Sequence, residues 1–183
     1  MNYIKIDTED VCNGSGLRVC LWLSSCSHHC YNCQNPQTWN PKSGTSFDEE
    51  AKKELFRELE KDYISGLTLT GGDPLHENNL DGVLELVKNI KTTFKDKNIW
   101  IYSGYEFEDI FSKSNIVLDE FTAKVNDNYE KRKQIISLCD VMVDGRYIDS
   151  QRDISLPYRG SKNQRVINVQ ESLDKNKVVL YCD

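Results

Sequence analysis

Three cysteines spaced Cys26-x3-Cys30-x2-Cys33 follow the apolar run 19–23. Thiolates are soft ligands for iron–sulfur clusters and for zinc. A [4Fe-4S] site with four cysteine ligands mainly carries electrons, whereas three cysteines leave one iron open to a small molecule. The spacing therefore points to chemistry at the cluster rather than electron storage. Two other readings use the same residues. Positions i, i+4 and i+7 form one helical face, which would make the cysteines small buried hydrophobes. The polar neighbours Ser27, His28, His29, Asn32 and Gln34 are poor company for a core stripe. Structural zinc would take His28 or His29 as a fourth ligand, but zinc sites usually pair two short ligand clusters. No second Cys-x2-Cys or His-x3-His occurs here.

A second candidate is Gly71-Gly72-Asp73-Pro74, which follows the apolar stretch 67–70. Two residues without a Cβ let a ligand approach backbone carbonyl and amide groups, and such a turn can bind an amino group. The same tetrapeptide also serves as a plain connection between strand and helix. Ser103, Asp144 and Arg146 lie at ends of predicted strands, where a ribose hydroxyl or a carboxylate could be bound. Each could equally cap a helix or pair with a neighbouring charge.

These residues need a frame. The pattern predicts strands over 1–6, 19–23, 67–70, 99–102 and 141–143. A helix is expected to start at Ser46, with Glu49 closing a capping box and Phe47, Ala51, Leu55, Leu59 and Tyr63 along one face, and to end at Gly66. Further helices are expected over 79–94, around Phe107–Phe111, and over 129–138. Strands alternating with helices predict an α/β fold of βα units around a mainly parallel sheet. The cysteine loop, Gly71 to Pro74, Ser103-Gly104 and Asp144 to Arg146 should then converge on the C-terminal rim of the strands.

The chain has 183 residues with 38% hydrophobic content, enough for one domain over 1–183, with a polar C-terminal extension from about 150. A net charge of −6 argues against nucleic acid as a partner. The first ten residues lack a signal-like apolar segment, and no run approaches the roughly 20 apolar residues of a membrane helix, so a cytoplasmic protein with no membrane partner is expected. Seven cysteines, an odd number, fit reduced thiols better than a disulfide framework. Cys20 and Cys139 read as core residues; Cys12 and Cys182 receive no assignment.

Together, the cysteine loop and the later glycine turn resemble the radical S-adenosylmethionine (SAM) superfamily. The resemblance implies a partial, open βα barrel in which Cys26, Cys30 and Cys33 ligate one [4Fe-4S] cluster. It also implies that SAM chelates the fourth iron, with Gly71, Gly72 and Asp73 lining the SAM site and the backbone of Asn32, Cys33 and Gln34 next to adenine. Ser103 joins this set on its strand-end position. The residue before the third cysteine, commonly aromatic in the superfamily, is Asn32 here, with Tyr31 one place earlier. Asn13-Gly14-Ser15-Gly16-Leu17-Arg18 and Cys33-Gln34-Asn35-Pro36-Gln37-Thr38-Trp39 resemble the glycyl-radical-enzyme activases. Asp144-Gly145-Arg146-Tyr147 and Arg159-Gly160-Ser161-Lys162-Asn163-Gln164-Arg165 resemble the activases of anaerobic (class III) ribonucleotide reductase, and weigh against the alternative of a pyruvate formate-lyase activase.

The implied reaction needs no catalytic acid or base. A low-potential donor such as flavodoxin or ferredoxin supplies an electron, the sulfonium of SAM loses its S–C5′ bond, and the 5′-deoxyadenosyl radical takes hydrogen from a glycine Cα of the large reductase subunit. On this reading His28 and His29 are solvent-facing or line the cluster shell, and His76 is a loop residue. The basic, turn-rich segment 157–165 is either a docking or closing element or a solvated tail. The non-enzymatic alternative is an adaptor in which the three thiolates clip zinc.

Overall fold

The structure, a computed structural model, describes residues 1–112 and 120–183. Among the described residues, eight strands form one mixed sheet: β1 (Asn2–Asp10), β2 (Arg18–Leu23), β3 (Thr45–Ser46), β4 (Gly66–Gly71), β5 (Asn98–Tyr102), β6 (Val141–Asp144), β7 (Arg165–Asn168) and β8 (Leu180–Cys182). Their order across the sheet is β3-β1-β2-β4-β5-β6-β7-β8. Pairing is parallel from β2 through β4 and β5 to β6, and antiparallel at both flanks. The expected parallel sheet is thus confined to the middle. The segment beyond 150, expected as a polar extension, supplies β7 and β8 to the same sheet.

The described α-helices are α1 (Glu49–Leu59), α2 (Leu80–Thr93), α3 (Phe107–Phe111), α4 (Glu120–Leu138) and α5 (Val169–Lys175). The predicted helix start at Ser46 is displaced. Ser46 pairs with Asn2 in β3, and Asp48 caps α1 by accepting from the N–H groups of Glu50 and Ala51. An edge strand along β1 claims the serine, so the cap passes to the next residue able to accept. Gly66 does not end this helix; it opens β4, where a Cβ would lie 1.9 Å from the Asn98 carbonyl oxygen.

Period-two alternation sorts the strands onto two faces. Val19, Leu21, Leu23, Leu67, Leu69, Ile99, Ile101, Met142 and Ile167 meet Leu55, Val87, Ile90, Ile110, Ile136 and Val169 of the helices in the main core. The opposite face carries Arg18, Cys20, Trp22, Thr68, Thr70, Trp100 and Tyr102, with a small apolar cluster of Trp100, Val141, Val143 and Val166. Cys20 and Cys139 are fully buried, as their apolar settings predict.

Arg18 anchors the N-terminal ends of the middle strands. It is fully buried, and its guanidinium donates to Thr68 Oγ1 (2.7 Å), Asn98 Oδ1 (2.7 Å) and the carbonyls of Leu67 (2.7 Å) and Ser15 (3.0 Å). The ring of Trp100 covers it at 5.3 Å. Burial pushes its pKa down to about 10, so it stays charged at neutral pH. One side chain therefore joins β2, β4 and β5. Substituting Arg18→Met should leave these acceptors unpaired and destabilise the fold by about 3 kcal/mol, read as a lower urea midpoint at unchanged slope.

Candidate functional site

Because β2, β4, β5 and β6 run parallel, the loops after them meet at one rim. The cysteine loop leaves β2 at Leu23 and takes left-handed backbone at Ser25 (φ 74°), His29 (φ 48°) and Asn32 (φ 53°). Such non-glycine conformations are costly and coil the loop on itself, so no helical cysteine stripe forms. Cys26, Cys30 and Cys33 are all half-buried free thiols. The Cys33 N–H donates to the Cys30 carbonyl (3.2 Å), the Cys26 N–H to the Trp39 carbonyl (3.2 Å), and the Asn35 N–H to Cys33 Sγ (3.4 Å). Burial pushes the Cys26 thiol up to about 11. Among the described residues, no three His, Cys, Asp or Glu side chains are gathered into a metal-holding group, so the three sulfurs share a loop rather than a closed cage.

Asp73 joins this loop to its neighbours. It is 2% exposed, and its carboxylate accepts from Ser103 Oγ (3.0 and 3.1 Å) and from the N–H groups of Leu75 (2.8 Å) and Gly104 (3.1 Å). His28 Nε2 lies 2.6 Å from Asp73 Oδ2, and the imidazole packs edge-on against Tyr105 at 4.9 Å. His28 is therefore tucked into the cysteine-loop shell, not turned to solvent. His29 stacks on Trp39 at 4.6 Å. His28 Nε2 is thus engaged by Asp73.

The glycines of the turn serve packing at close range. A Cβ on Gly71, whose φ is +96°, would lie 2.8 Å from the Leu23 carbonyl oxygen, and one on Gly72 would lie 2.7 Å from that of Ser25. The turn presses so closely that the N–H groups of Gly72 and Asp73 donate to the Leu23 and Ser25 carbonyls, both at 2.8 Å. Asn79 locks the same junction by donating to the carbonyls of Ser24 (2.8 Å) and Asp73 (2.9 Å).

The strand-end residues divide. Ser103 spends its hydroxyl proton on Asp73 and accepts from the Tyr105 N–H (3.2 Å). Asp144, 1% exposed, pairs with Arg165 and caps α3 through the Phe107 N–H (3.0 Å). Arg146 donates to the His28 carbonyl and so ties the end of β6 to the cysteine loop. Asn32 reaches Asp149 Oδ2 (3.2 Å). Cys33 and Gln34 face a cavity of about 380 Å³, also lined by Trp22, Tyr102, Tyr158 and Arg159. Segment 157–165 is a wall of this cavity and no solvated tail. Gln164 Oε1 accepts from the N–H groups of Gly160 (3.0 Å) and Ser161 (3.2 Å), and its Nε2 donates to the Gly145 carbonyl (3.0 Å). Asn163 donates to the Arg146 carbonyl (2.8 Å), so the two C-terminal motifs interlock.

Sequence reasoning missed the His28–Asp73 contact, for which a separation of 45 positions leaves no local signal. It also missed Trp22 and Tyr102, whose alternation with apolar neighbours could have flagged a lined inner face.

A family model described as a 4Fe-4S single cluster domain matches residues 12–167. The chain is 39% identical to the anaerobic ribonucleoside-triphosphate reductase-activating protein of Enterobacteria phage T4, over 91% of this chain and 93% of that protein. It is 35% identical to the proteins of the same name from Escherichia coli K12 (91% and 97%) and Haemophilus influenzae (90% and 96%). The chain belongs to the anaerobic ribonucleoside-triphosphate reductase-activating protein family. Membership in this activating-protein family, with its 4Fe-4S domain, supports an activase that carries a [4Fe-4S] cluster over a zinc-clipped adaptor. Among the described residues no helix is long and apolar enough to cross a membrane.

Replacing Asp73 by Asn keeps the volume but removes a carboxylate oxygen shared by three loops. Cluster loss to an iron chelator, followed by visible absorbance, should accelerate about tenfold, as for other outer-shell partners of metal sites. In cluster-free protein at pH 8, the raised Cys26 pKa reduces its thiolate fraction, so alkylation read by mass spectrometry should run about a hundredfold slower than for an unperturbed thiol, and speed up as the pH rises.

Proposed function

We propose that this chain is a radical SAM activase that generates a glycyl radical on the large subunit of anaerobic ribonucleotide reductase. The observation that carries the reading is the buried Asp73 link, which unites the loop of three free thiols with the glycine turn at one rim. Cys26, Cys30 and Cys33 would hold a [4Fe-4S] cluster. Three soft donors on a coiled loop suit that group, and the N–H of Asn35 directed at Cys33 Sγ suits a sulfur carrying negative charge. Gly71, Gly72, Asp73 and Ser103 would flank SAM on one side, and Asn32, Cys33 and Gln34 on the other.

Bound there, cluster and SAM would supply reductive S–C5′ cleavage and a 5′-deoxyadenosyl radical that takes a hydrogen atom from a glycine Cα. The chain's own part is positional. His28, Asp73 and Arg146 hold the cysteine loop against β4 and β6, and Tyr105 and Trp39 pack against the two histidines. No side chain is required to move a proton. The helix-covered sheet, parallel in the middle, supports the reading of an open βα barrel, and the shared sheet supports one domain over 1–183. A low-potential donor such as flavodoxin or ferredoxin and a cytoplasmic location complete the proposal.

Anaerobic reconstitution should give brown protein that, with a strong reductant, converts SAM to 5′-deoxyadenosine. Mixing with anaerobic ribonucleotide reductase, and not with pyruvate formate-lyase, should give a glycyl-radical EPR signal. Colourless protein holding one zinc and forming no deoxyadenosine would sink the proposal.

A further inference from the structure

We propose that the outer face of the cysteine loop, a groove of about 470 Å³ walled by Tyr31, Tyr147 and Ile148, docks an acidic one-electron carrier protein that reduces the cluster. The inference rests on the activase reading above and names the place where its electron enters.

The cysteine loop has two lined sides. Cys33 faces the inner cavity described above, whereas Cys30 and Tyr31 line this separate groove, and Tyr147 borders both. A cluster ligand therefore forms part of an outward-facing surface. Electron tunnelling weakens steeply with distance, so a carrier seated against Cys30 has a short route that leaves the inner cavity clear.

The groove presents apolar surface on an ordered support. The ring that the superfamily commonly places before the third cysteine stands one position earlier here, and as Tyr31 it is 78% exposed. Ile148, on the same groove, is 38% exposed. Large apolar side chains left open together mark an interaction surface. Asn32 and Tyr147 both donate to Asp149 (3.2 and 2.8 Å), and Arg146 donates to the His28 carbonyl, so the cysteine loop and the turn after β6 hold the groove open between them.

Charge selects the partner. Asp149 is the one carboxylate of the lining, and each of its oxygens already has a donor. The next acid, Asp153, faces Lys162 (3.6 Å), and Asp144 and Glu108 are taken by Arg165. Arg146 in the lining and Arg152 three residues beyond Asp149 are exposed and have no carboxylate partner among the described residues. In a chain of net charge −6 this corner is locally positive, which steers and orients an acidic protein. A small apolar patch with a cationic edge suits the small, short-lived interfaces of electron-transfer partners. One electron leaves the carrier and enters the cluster; the carrier is oxidised by one electron, the cluster reduced by one, and no bond of this chain forms or breaks.

The test uses cluster-loaded protein carrying Tyr31→Glu or Ile148→Glu, with reduced flavodoxin or ferredoxin as the carrier and dithionite as a small reductant that needs no docking. Under anaerobic conditions, carrier affinity by titration calorimetry and the rate of cluster reduction by the carrier, followed by stopped-flow absorbance, should each fall about tenfold. Iron content and the 5′-deoxyadenosine formed with dithionite should stay at wild-type levels. Ile148 lies outside the cysteine loop, so its variant decides the matter if Tyr31→Glu loses iron. Ile148→Lys should lose less affinity than Ile148→Glu, and an equal loss would overturn the acidic character of the carrier. Unchanged carrier affinity and reduction rate in Ile148→Glu would overturn the proposal, as would a wild-type protein that is reduced by dithionite and by neither carrier. Lost affinity for the ribonucleotide reductase with carrier affinity intact would also overturn it and assign the face to the reductase. If the wild-type protein forms no deoxyadenosine even with dithionite, it is the activase reading that fails.

Discussion

A buried carboxylate must be surrounded by donors, and the rim of this sheet is organised by that requirement at Asp73. Its two oxygens receive Leu75 from its own turn, Ser103 and Gly104 from the loop after β5, and His28 from the cysteine loop. Those donors belong to three loops and meet only when β2, β4 and β5 hold their register. Close packing enforces the same condition. A Cβ on Gly104 would lie 2.5 Å from the His28 ring, so the imidazole can reach Asp73 only because that residue is glycine.

Arg18 does the corresponding work at the opposite rim. There the strands begin, and one buried guanidinium spans the carbonyls and side chains of β2, β4 and β5. The middle of the sheet is thus pinned at both ends by a polar residue of opposite type, while its helix-covered face is held by ordinary apolar burial. Polar anchoring at the ends leaves the inner face free to carry Thr70, Trp22 and Tyr102, side chains that line a cavity instead of filling a core. A rigid frame with loops at one end is the arrangement that lets a reactive site be held to sub-ångström tolerance.

The C-terminal part of the chain is integral to this arrangement. β7 adds to β6 in antiparallel fashion, and the stretch before it folds back so that Gln164 and Asn163 bind the turn after β6. Arg165 then pairs with Asp144 and reaches Glu108 (2.6 Å), which fastens α3 to the same corner. A segment whose composition is polar can thus be well packed, because its hydrogen bonds are satisfied by backbone and side chains brought from elsewhere.

The amino-acid sequence by itself determined what depends on neighbours in the chain. Short apolar runs located β2, β4, β5 and β6, the apolar spacing located α2 within a residue at each end, and strand–helix alternation predicted the shared rim. The three-thiol spacing and the glycine turn were also legible, since each is a local motif with its own chemistry. Tertiary structure decided whatever required a partner distant in sequence. Ser46 looked like a helix cap until β1 claimed it as an edge strand. Asp144 and Ser103 could each have met a ligand, a helix end or a charge, and only folding supplied Arg165 to the one and Asp73 to the other. The antiparallel flanks, the Arg18 clamp and the lined cavity were hidden for the same reason: a buried polar side chain takes its meaning from the donors and acceptors folding brings to it, and local sequence does not record which those are.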